Sequence, residues 1–279
     1  MRESTGPQPI YLWWLSLQVP PTTLSFLTSL LSPAEKARAR QFGQADGSQR
    51  YRVARGYLRL LLASCLHSDP TSLQLSQTQR GKPYLDASDH PAPWYFNLSH
   101  SGNFVLIALS PEVEVGVDVE RLRPQPRALA LARRFFAPQE SHYLSHCPPG
   151  VQEEVFFQYW TAKEAFLKAT GQGLAGGKAL SQVVVDLQQC CFLSLPAPCG
   201  APGSWQLTLG RFEIPYLGAI AYAGKPRPLF YQSCNLATKW PLEENIDFLS
   251  LLSELSRDKL KITEAGAPLA VLFASQMGQ

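Results

Sequence analysis

The 279-residue chain has no uninterrupted apolar run near the ~18 residues that a membrane span needs. Its N-terminal stretch also reads as a poor signal peptide. Arg2, Glu3, Pro7 and Pro9 lead into the apolar stretch 10–19, which Ser16 and Gln18 interrupt, so that stretch reads as a first strand. A cytoplasmic protein without membrane attachment is expected. Paired cysteines are missing too: none of Cys65, Cys147, Cys190, Cys191, Cys199 and Cys234 sits in a Cys-x-x-Cys pair, and no His follows at zinc-finger spacing. Six small thiols are expected, not a disulfide framework. The net charge of +3 is too small for a dedicated nucleic-acid binder. What is present is 45% hydrophobic and 17% charged, a globular composition long enough for one large domain or two modest ones.

Pro20 and Pro21 end the first strand. Ser32, Pro33 and Glu35 form a capping-box pattern that predicts a helix to about residue 42, carrying Lys36, Arg38 and Arg40. A second helix is predicted over 48–67. Gly81-Lys82-Pro83 is a turn signal. Short strands at 94–98 and 104–109 flank Ser99-His100-Ser101-Gly102, and 113–120 is another strand. Helices follow up to Phe136 and from Pro138. A long helix over 151–170 is stopped by Gly171 and Gly173. Strands are predicted at 183–187, 205–213 and 218–222. Two blocks, 1–112 and 113–232, thus share the order strand, helices, strands. In the extension 233–279, Ile246, Leu249, Leu252 and Leu255 recur at helical spacing, which predicts a helix over 242–260 packed on the body.

Three groups of residues carry chemistry. Val113, Val115, Val117 and Val119 alternate with Glu114, Gly116, Asp118 and Glu120, so Asp118 and Glu120 share one face of a strand with Cα atoms ~7 Å apart. The pattern fits a solvated strand face, or two oxygen ligands for magnesium. Gly116 inside the strand marks close approach by a ligand or another backbone. In the long helix, Glu164 and Lys168 stack four apart at the edge of the stripe Phe156, Tyr159, Trp160, Lys163 and Leu167. They read as a surface ion pair, or as a ligand or general base beside a phosphate-binding ammonium. Arg52, Arg55 and Arg59 form a basic stripe that suits either solvent or an anion. Lys82 in its tight turn, with Ser99 and His100 in a polar loop, adds cations and donors for a polyphosphate.

Together these residues resemble a known family. Gly116-Val117-Asp118-Val119-Glu120 and Trp160-Thr161-Ala162-Lys163-Glu164-Ala165-Phe166-Leu167-Lys168 look like the two signature motifs of phosphopantetheinyl transferases. Gly81-Lys82-Pro83, Asn97-Leu98-Ser99-His100-Ser101-Gly102 and Arg133-Arg134-Phe135-Phe136 resemble further motifs of that family. The length is similar to the larger, Sfp-type branch.

The resemblance implies an α+β pseudo-dimer of two similar subdomains, with the active site in the cleft between them. The block 1–112 would bind the coenzyme A nucleotide, and 113–232 would carry the metal and catalytic motifs. It implies transfer of 4′-phosphopantetheine from coenzyme A to a serine of an apo acyl or peptidyl carrier protein, of a fatty acid, polyketide or nonribosomal peptide pathway. The other product would be adenosine 3′,5′-bisphosphate. Asp118, Glu120 and Glu164 match its Mg2+ ligands, and Glu164, Lys168 and His100 its catalytic groups. Arg38, Arg52, Lys82, Ser99, His100 and Lys168 match positions that hold coenzyme A. Glu35 stands one turn before Arg38, where a lysine is often found. Arg133, Arg134 and exposed apolar residues of 124–150 are expected docking points for the carrier's acidic helix, and an internal pseudo-dimer makes a monomer sufficient. The residues alone also admit a magnesium-dependent nucleotide phosphohydrolase, or a non-catalytic coenzyme-A or carrier-binding module.

Overall fold

The computed structural model describes residues 6–86, 93–173, 178–234 and 261–263. It opens with β1 (Ile10–Ser16). The Pro20-Pro21 pair does more than end that strand. Pro21 is the first residue of α1 (Pro21–Ser29), where a missing N–H has no intrahelical partner to lose. Before α2 (Pro33–Arg40), Ser32 Oγ accepts from Glu35 N at 3.2 Å and Glu35 Oε2 accepts from Ser32 N at 3.0 Å, so the capping box forms as expected. Next come α3 (Ala45–Leu66), the hairpin β2 (Leu75–Gln77) and β3 (Pro83–Leu85), and the hairpin β4 (Tyr95–Ser101) and β5 (Phe104–Ser110).

The second half repeats this plan. It comprises β6 (Val115–Arg121), α4 (Ala128–Phe135), α5 (Pro138–His146), α6 (Pro149–Thr170) and α7 (Lys178–Gln182). The hairpin β7 (Val184–Asp186) and β8 (Cys191–Ser194) follows, then β9 (Trp205–Arg211) and β10 (Tyr216–Ala223). In one half β1 pairs antiparallel with β5, and β5 with β4. In the other, β6 pairs antiparallel with β10, and β10 with β9. Each first strand is separated from its hairpin by a 22-residue helix, α3 or α6, ended by a left-handed residue, His67 or Gly171. The fold is α+β with two topologically similar halves.

β11 (Leu229–Cys234) crosses back to the first sheet and runs parallel to β1, Ile10 opposite Leu229. β12 (Lys261–Thr263) adds antiparallel to β11. The extension therefore contributes a strand here, and its predicted helix at 242–260 lies outside the described residues. The sheets run β12-β11-β1-β5-β4 and β6-β10-β9.

Alternation along the strands sorts side chains into three cores. Leu15, Val105, Ile107 and Leu109 pack with Val53, Leu58 and Leu62 of α3. Leu209, Leu217, Ala219 and Ala221 pack with Phe156, Phe166 and Leu167 of α6. Between the sheets, Ile10, Leu12, Trp14, Leu106 and Ala108 meet Val115, Val117, Val119 and Ile220. The layers are thus helix, sheet, sheet, helix, and each fully buried apolar side chain contributes ~1.5–3 kcal/mol. With the valines of β6 committed to the middle core, Asp118 and Glu120 are turned toward α6. Among the described residues, no helix is long and apolar enough to cross a membrane. The five cysteines whose side chains are described are free.

Candidate active site

The close approach marked by Gly116 is that of helix α6. A Cβ on Gly116 would lie 2.0 Å from Ala165 O and 2.3 Å from Ala169 N. Only glycine lets the helix backbone rest on β6, and that contact brings Glu164 and Lys168 over Asp118 and Glu120. Lys163 secures another side of α6. Its fully buried ammonium bonds Glu140 at 2.7 Å, Leu180 O at 2.9 Å and Val183 O. Glu140 in turn accepts from Ala137 N and Val185 N, both at 2.9 Å.

The first half reaches the site through β4, whose Asn97, Ser99 and Ser101 all point to β6. Val117 N donates to Asn97 Oδ1 at 3.0 Å, and Arg121 N donates to Ser101 Oγ at 3.0 Å. Ser99 Oγ donates to Asp118 Oδ1 at 2.7 Å, and Ser101 Oγ to Glu120 Oε2 at 2.8 Å. Side chains thus satisfy the open edge of β6 in place of a strand. Sequence reasoning gave roles to Ser99 and His100 but missed Asn97 and Ser101. The available signal was the polar alternation Asn97, Ser99, Ser101 beside Phe96 and Leu98.

A cavity of about 350 Å³ opens at this seam, lined by Ser99, His100, Asp118, Glu120, Trp160, Glu164 and Lys168, with Leu98 and Val119. Lys168 Nζ donates to Asp118 Oδ1 at 2.7 Å and to Ser99 Oγ at 2.8 Å. Arg123 bonds Glu120 Oε2 at 3.0 Å. Burial, followed by the negative charge of Asp118, pushes the Glu164 carboxyl up to about 7. Burial also raises Asp118 above the usual carboxylate range, against the opposing pull of Lys168 and Ser99.

The expected shell of three carboxylate ligands is not preassembled. Among the described residues, no group of three or more His, Cys, Asp or Glu side chains is arranged to hold a metal ion. The reason is local: Lys168 and Ser99 engage Asp118 Oδ1, and Ser101 and Arg123 engage Glu120 Oε2. Two buried carboxylate oxygens, Asp118 Oδ2 and Glu164 Oε1, have no hydrogen-bond partner. Buried unpartnered oxygens of this kind, beside a cavity with room for water and phosphate, fit a hard cation such as magnesium.

The remaining expected site residues are distributed unevenly. His100 lines the cavity with an exposed side chain. Lys82 does not line it: its ammonium bonds Glu114 and Ala169 O. Arg38 and Arg52 also lie outside the lining. Arg38 bonds Gln41 at 2.9 Å and stacks over Phe42, and Arg52 Nε donates to Ser48 O at 3.4 Å. The basic stripe of α3 is mostly internal. Arg59 bonds Glu35 at 2.7 Å, and Arg55 lies 3.8 Å from the same carboxylate. Glu35 is a buried structural acid, which accounts for an acidic residue at that position. On α4, Arg133 and Arg134 are exposed, as are Tyr143 and Val151 nearby.

Residues 114–213 match the family model of the 4′-phosphopantetheinyl transferase superfamily, and residues 18–112 match a 4′-phosphopantetheinyl transferase N-terminal model. The chain is 43% identical over 180 residues to a Synechocystis protein provisionally named a 4′-phosphopantetheinyl transferase, covering 64% of this chain and 72% of that one. It is 39% identical over 215 residues to the 4′-phosphopantetheinyl transferase HetI of Nostoc, covering 77% and 88%. It is 29% identical over 147 residues to the 4′-phosphopantetheinyl transferase Sfp of Bacillus subtilis, covering 53% and 63%. Neither a phosphohydrolase nor a bare binding module accounts for these matches, and the chain belongs to the 4′-phosphopantetheinyl transferase family.

Proposed function

We propose that this enzyme's transfer of 4′-phosphopantetheine from coenzyme A to a carrier-protein serine is catalysed in the cavity lined by Asp118, Glu120, Glu164 and Lys168. The serine oxygen attacks the β-phosphorus of the coenzyme A pyrophosphate and forms the new P–O bond. The bond from that phosphorus to the bridging oxygen breaks, and adenosine 3′,5′-bisphosphate leaves. The serine proton passes to Glu164, whose near-neutral carboxyl suits a base working near pH 7. Lys168 and His100 offset the charge that gathers on the phosphate oxygens. Asp118 and Glu120, with Glu164 in the same cavity, would hold magnesium, which when bound neutralises charge on the pyrophosphate.

The observation that carries this reading is the pair of buried, unpartnered oxygens, Asp118 Oδ2 and Glu164 Oε1, beside Lys168. Ser99 and His100 come from the block 1–112 and the carboxylates from 113–232, which supports a two-block site built by one chain and so a monomer, expected in the cytoplasm. Arg38 and Arg52, outside the cavity, are assigned to the distal 3′-phosphate of coenzyme A, and Arg133 and Arg134 to the carrier. This likeness extends to Sfp, so the larger branch is the assignment. The pH dependence of kcat/KM tests the base. The rate should climb about tenfold per pH unit while Glu164 is protonated and level off once it is ionised. A profile unchanged by Glu164→Gln would remove Glu164 from the proton transfer.

A further inference from the structure

We infer that Tyr216 is a positioning residue: its hydroxyl, reaching across from the second half, fixes the β4–β5 turn and so holds Ser99, His100 and Ser101 in place against β6. β4 stands at the edge of its sheet, so only one of its sides is paired within that sheet. On the other side its end depends on contacts with the second half. Tyr216 supplies one of these just past the strand. Asn103 N donates to Tyr216 Oη at 3.3 Å, and Asn103 O accepts from Leu17 N at 2.7 Å. Both halves thus grip the turn.

The turn is shaped to fit the hydroxyl. Gly102 has φ +55°, a left-handed conformation that glycine adopts without strain. A Cβ on Gly102 would lie 2.6 Å from Tyr216 Oη, 3.4 Å from its Cζ and 3.3 Å from Arg121 Cδ. Glycine is needed there for the close approach as well as for the φ. The Tyr216 ring is aimed by its surroundings. It is buried, and it meets Trp14 and Phe104 edge-on, each at 5.2 Å between ring centroids. Trp14 stacks on Phe104 at 4.7 Å and on Phe212 at 5.3 Å, and its Nε1 donates to Glu213 at 3.1 Å. Trp14 and Phe104 belong to the first half, Phe212 and Tyr216 to the second. The ring cannot swing without repacking this close-packed cluster.

The consequence reaches the cavity through two residues. Tyr216 lies opposite Arg121 in the β10–β6 ladder, and Arg121 N donates to Ser101 Oγ, which in turn donates to Glu120. His100, between Ser99 and Ser101, lines the cavity. A freed turn would loosen these three side chains against Asp118 and Glu120. The inference rests on this cavity being the catalytic one, as proposed above.

Full-length Tyr216→Phe tests it, because it removes the hydroxyl and keeps the ring. Assayed well below its melting transition, the variant should lose about fivefold in kcat with KM for the carrier protein unchanged. Amide exchange at Asn103 should quicken, a readout that does not depend on activity. Gly102→Ala should be impaired further, since its methyl group meets the hydroxyl, and adding Tyr216→Phe should recover part of that loss by making room. A merely structural role predicts a lower melting temperature at parental kcat, and that result would overturn the inference. Unchanged exchange at Asn103, or a double variant less active than Gly102→Ala, would overturn it too. Should Gly102→Ala fail to fold, Tyr216→Phe decides alone: lower kcat with faster exchange supports the inference, and parental values of either overturn it. An inactive parent would refute the catalytic reading and leave the exchange result to judge Tyr216.

Discussion

Lys168 Nζ and Asp118 Oδ1 lie 2.7 Å apart, and Ser99 Oγ bonds both, so a cation from the second half's helix, a carboxylate from its edge strand and a hydroxyl from the first half close a three-way contact. Removing one member leaves another buried with an unmet charge. Lys168→Met should therefore lower both the transfer rate, by about 10²–10³-fold, and the melting temperature. Adding Asp118→Asn to it should recover melting temperature but not activity. Recovery of both would show that neither charge is used in the reaction.

The proton on Glu164 gives a signed pH effect. Its carboxyl sits at about 7 in the folded protein against an ordinary 4.5. Between about pH 4.5 and about pH 7 the folded state holds a proton that the unfolded state has released, so stability is greatest below that window and falls as pH rises through it. Asp118, also raised by burial, acts in the same direction. Urea unfolding across that window should show the decline, and Glu164→Gln should flatten it. An identical slope in the variant would mean that Glu164 ionises freely.

If the site holds magnesium as proposed, the ion should stabilise the protein without any substrate, since it would bind only the folded site. Melting in magnesium chloride against the same buffer with a chelator should show a higher transition at pH about 8, where Glu164 is ionised. Asp118→Asn should lose most of that gain. Equal gains in parent and variant would place the cation elsewhere.

Gly116→Ala adds one methyl group where α6 meets β6. With Ala165 O only 2.0 Å from the added Cβ, the helix must move away. A loss of about 1–3 kcal/mol is expected, together with a fall in kcat because Glu164 and Lys168 move with the helix. Chemical denaturation and steady-state kinetics read the two effects separately. Unchanged kcat in a destabilised variant would uncouple this packing from the site.

Much of this was legible in the sequence for local reasons. The Ser32–Glu35 capping box, the valine alternation of β6 and the glycine stop of α6 are set by neighbours in the chain, and they appear as expected. The strand glycine at Gly116 announced a close approach, though not whose. What escaped depends on long-range contacts. The return of β11 to β1 spans over 200 residues, and no local pattern encodes it. Arg55 and Arg59 looked like an exposed basic stripe because helical spacing does not show that Glu35 waits opposite them. The Lys82 motif was recognisable, but its partners lie in the other half, at Glu114 and Ala169.

The central claim is that one cavity, with Glu164 as its base, performs the transfer. Its most direct measurement is the mass of an apo carrier protein after incubation with coenzyme A, magnesium and either the parent enzyme or Glu164→Gln. The carrier should gain one phosphopantetheine group on its serine with the parent, and over the same interval almost none with the variant. A carrier modified as fast by Glu164→Gln as by the parent would contradict the assignment.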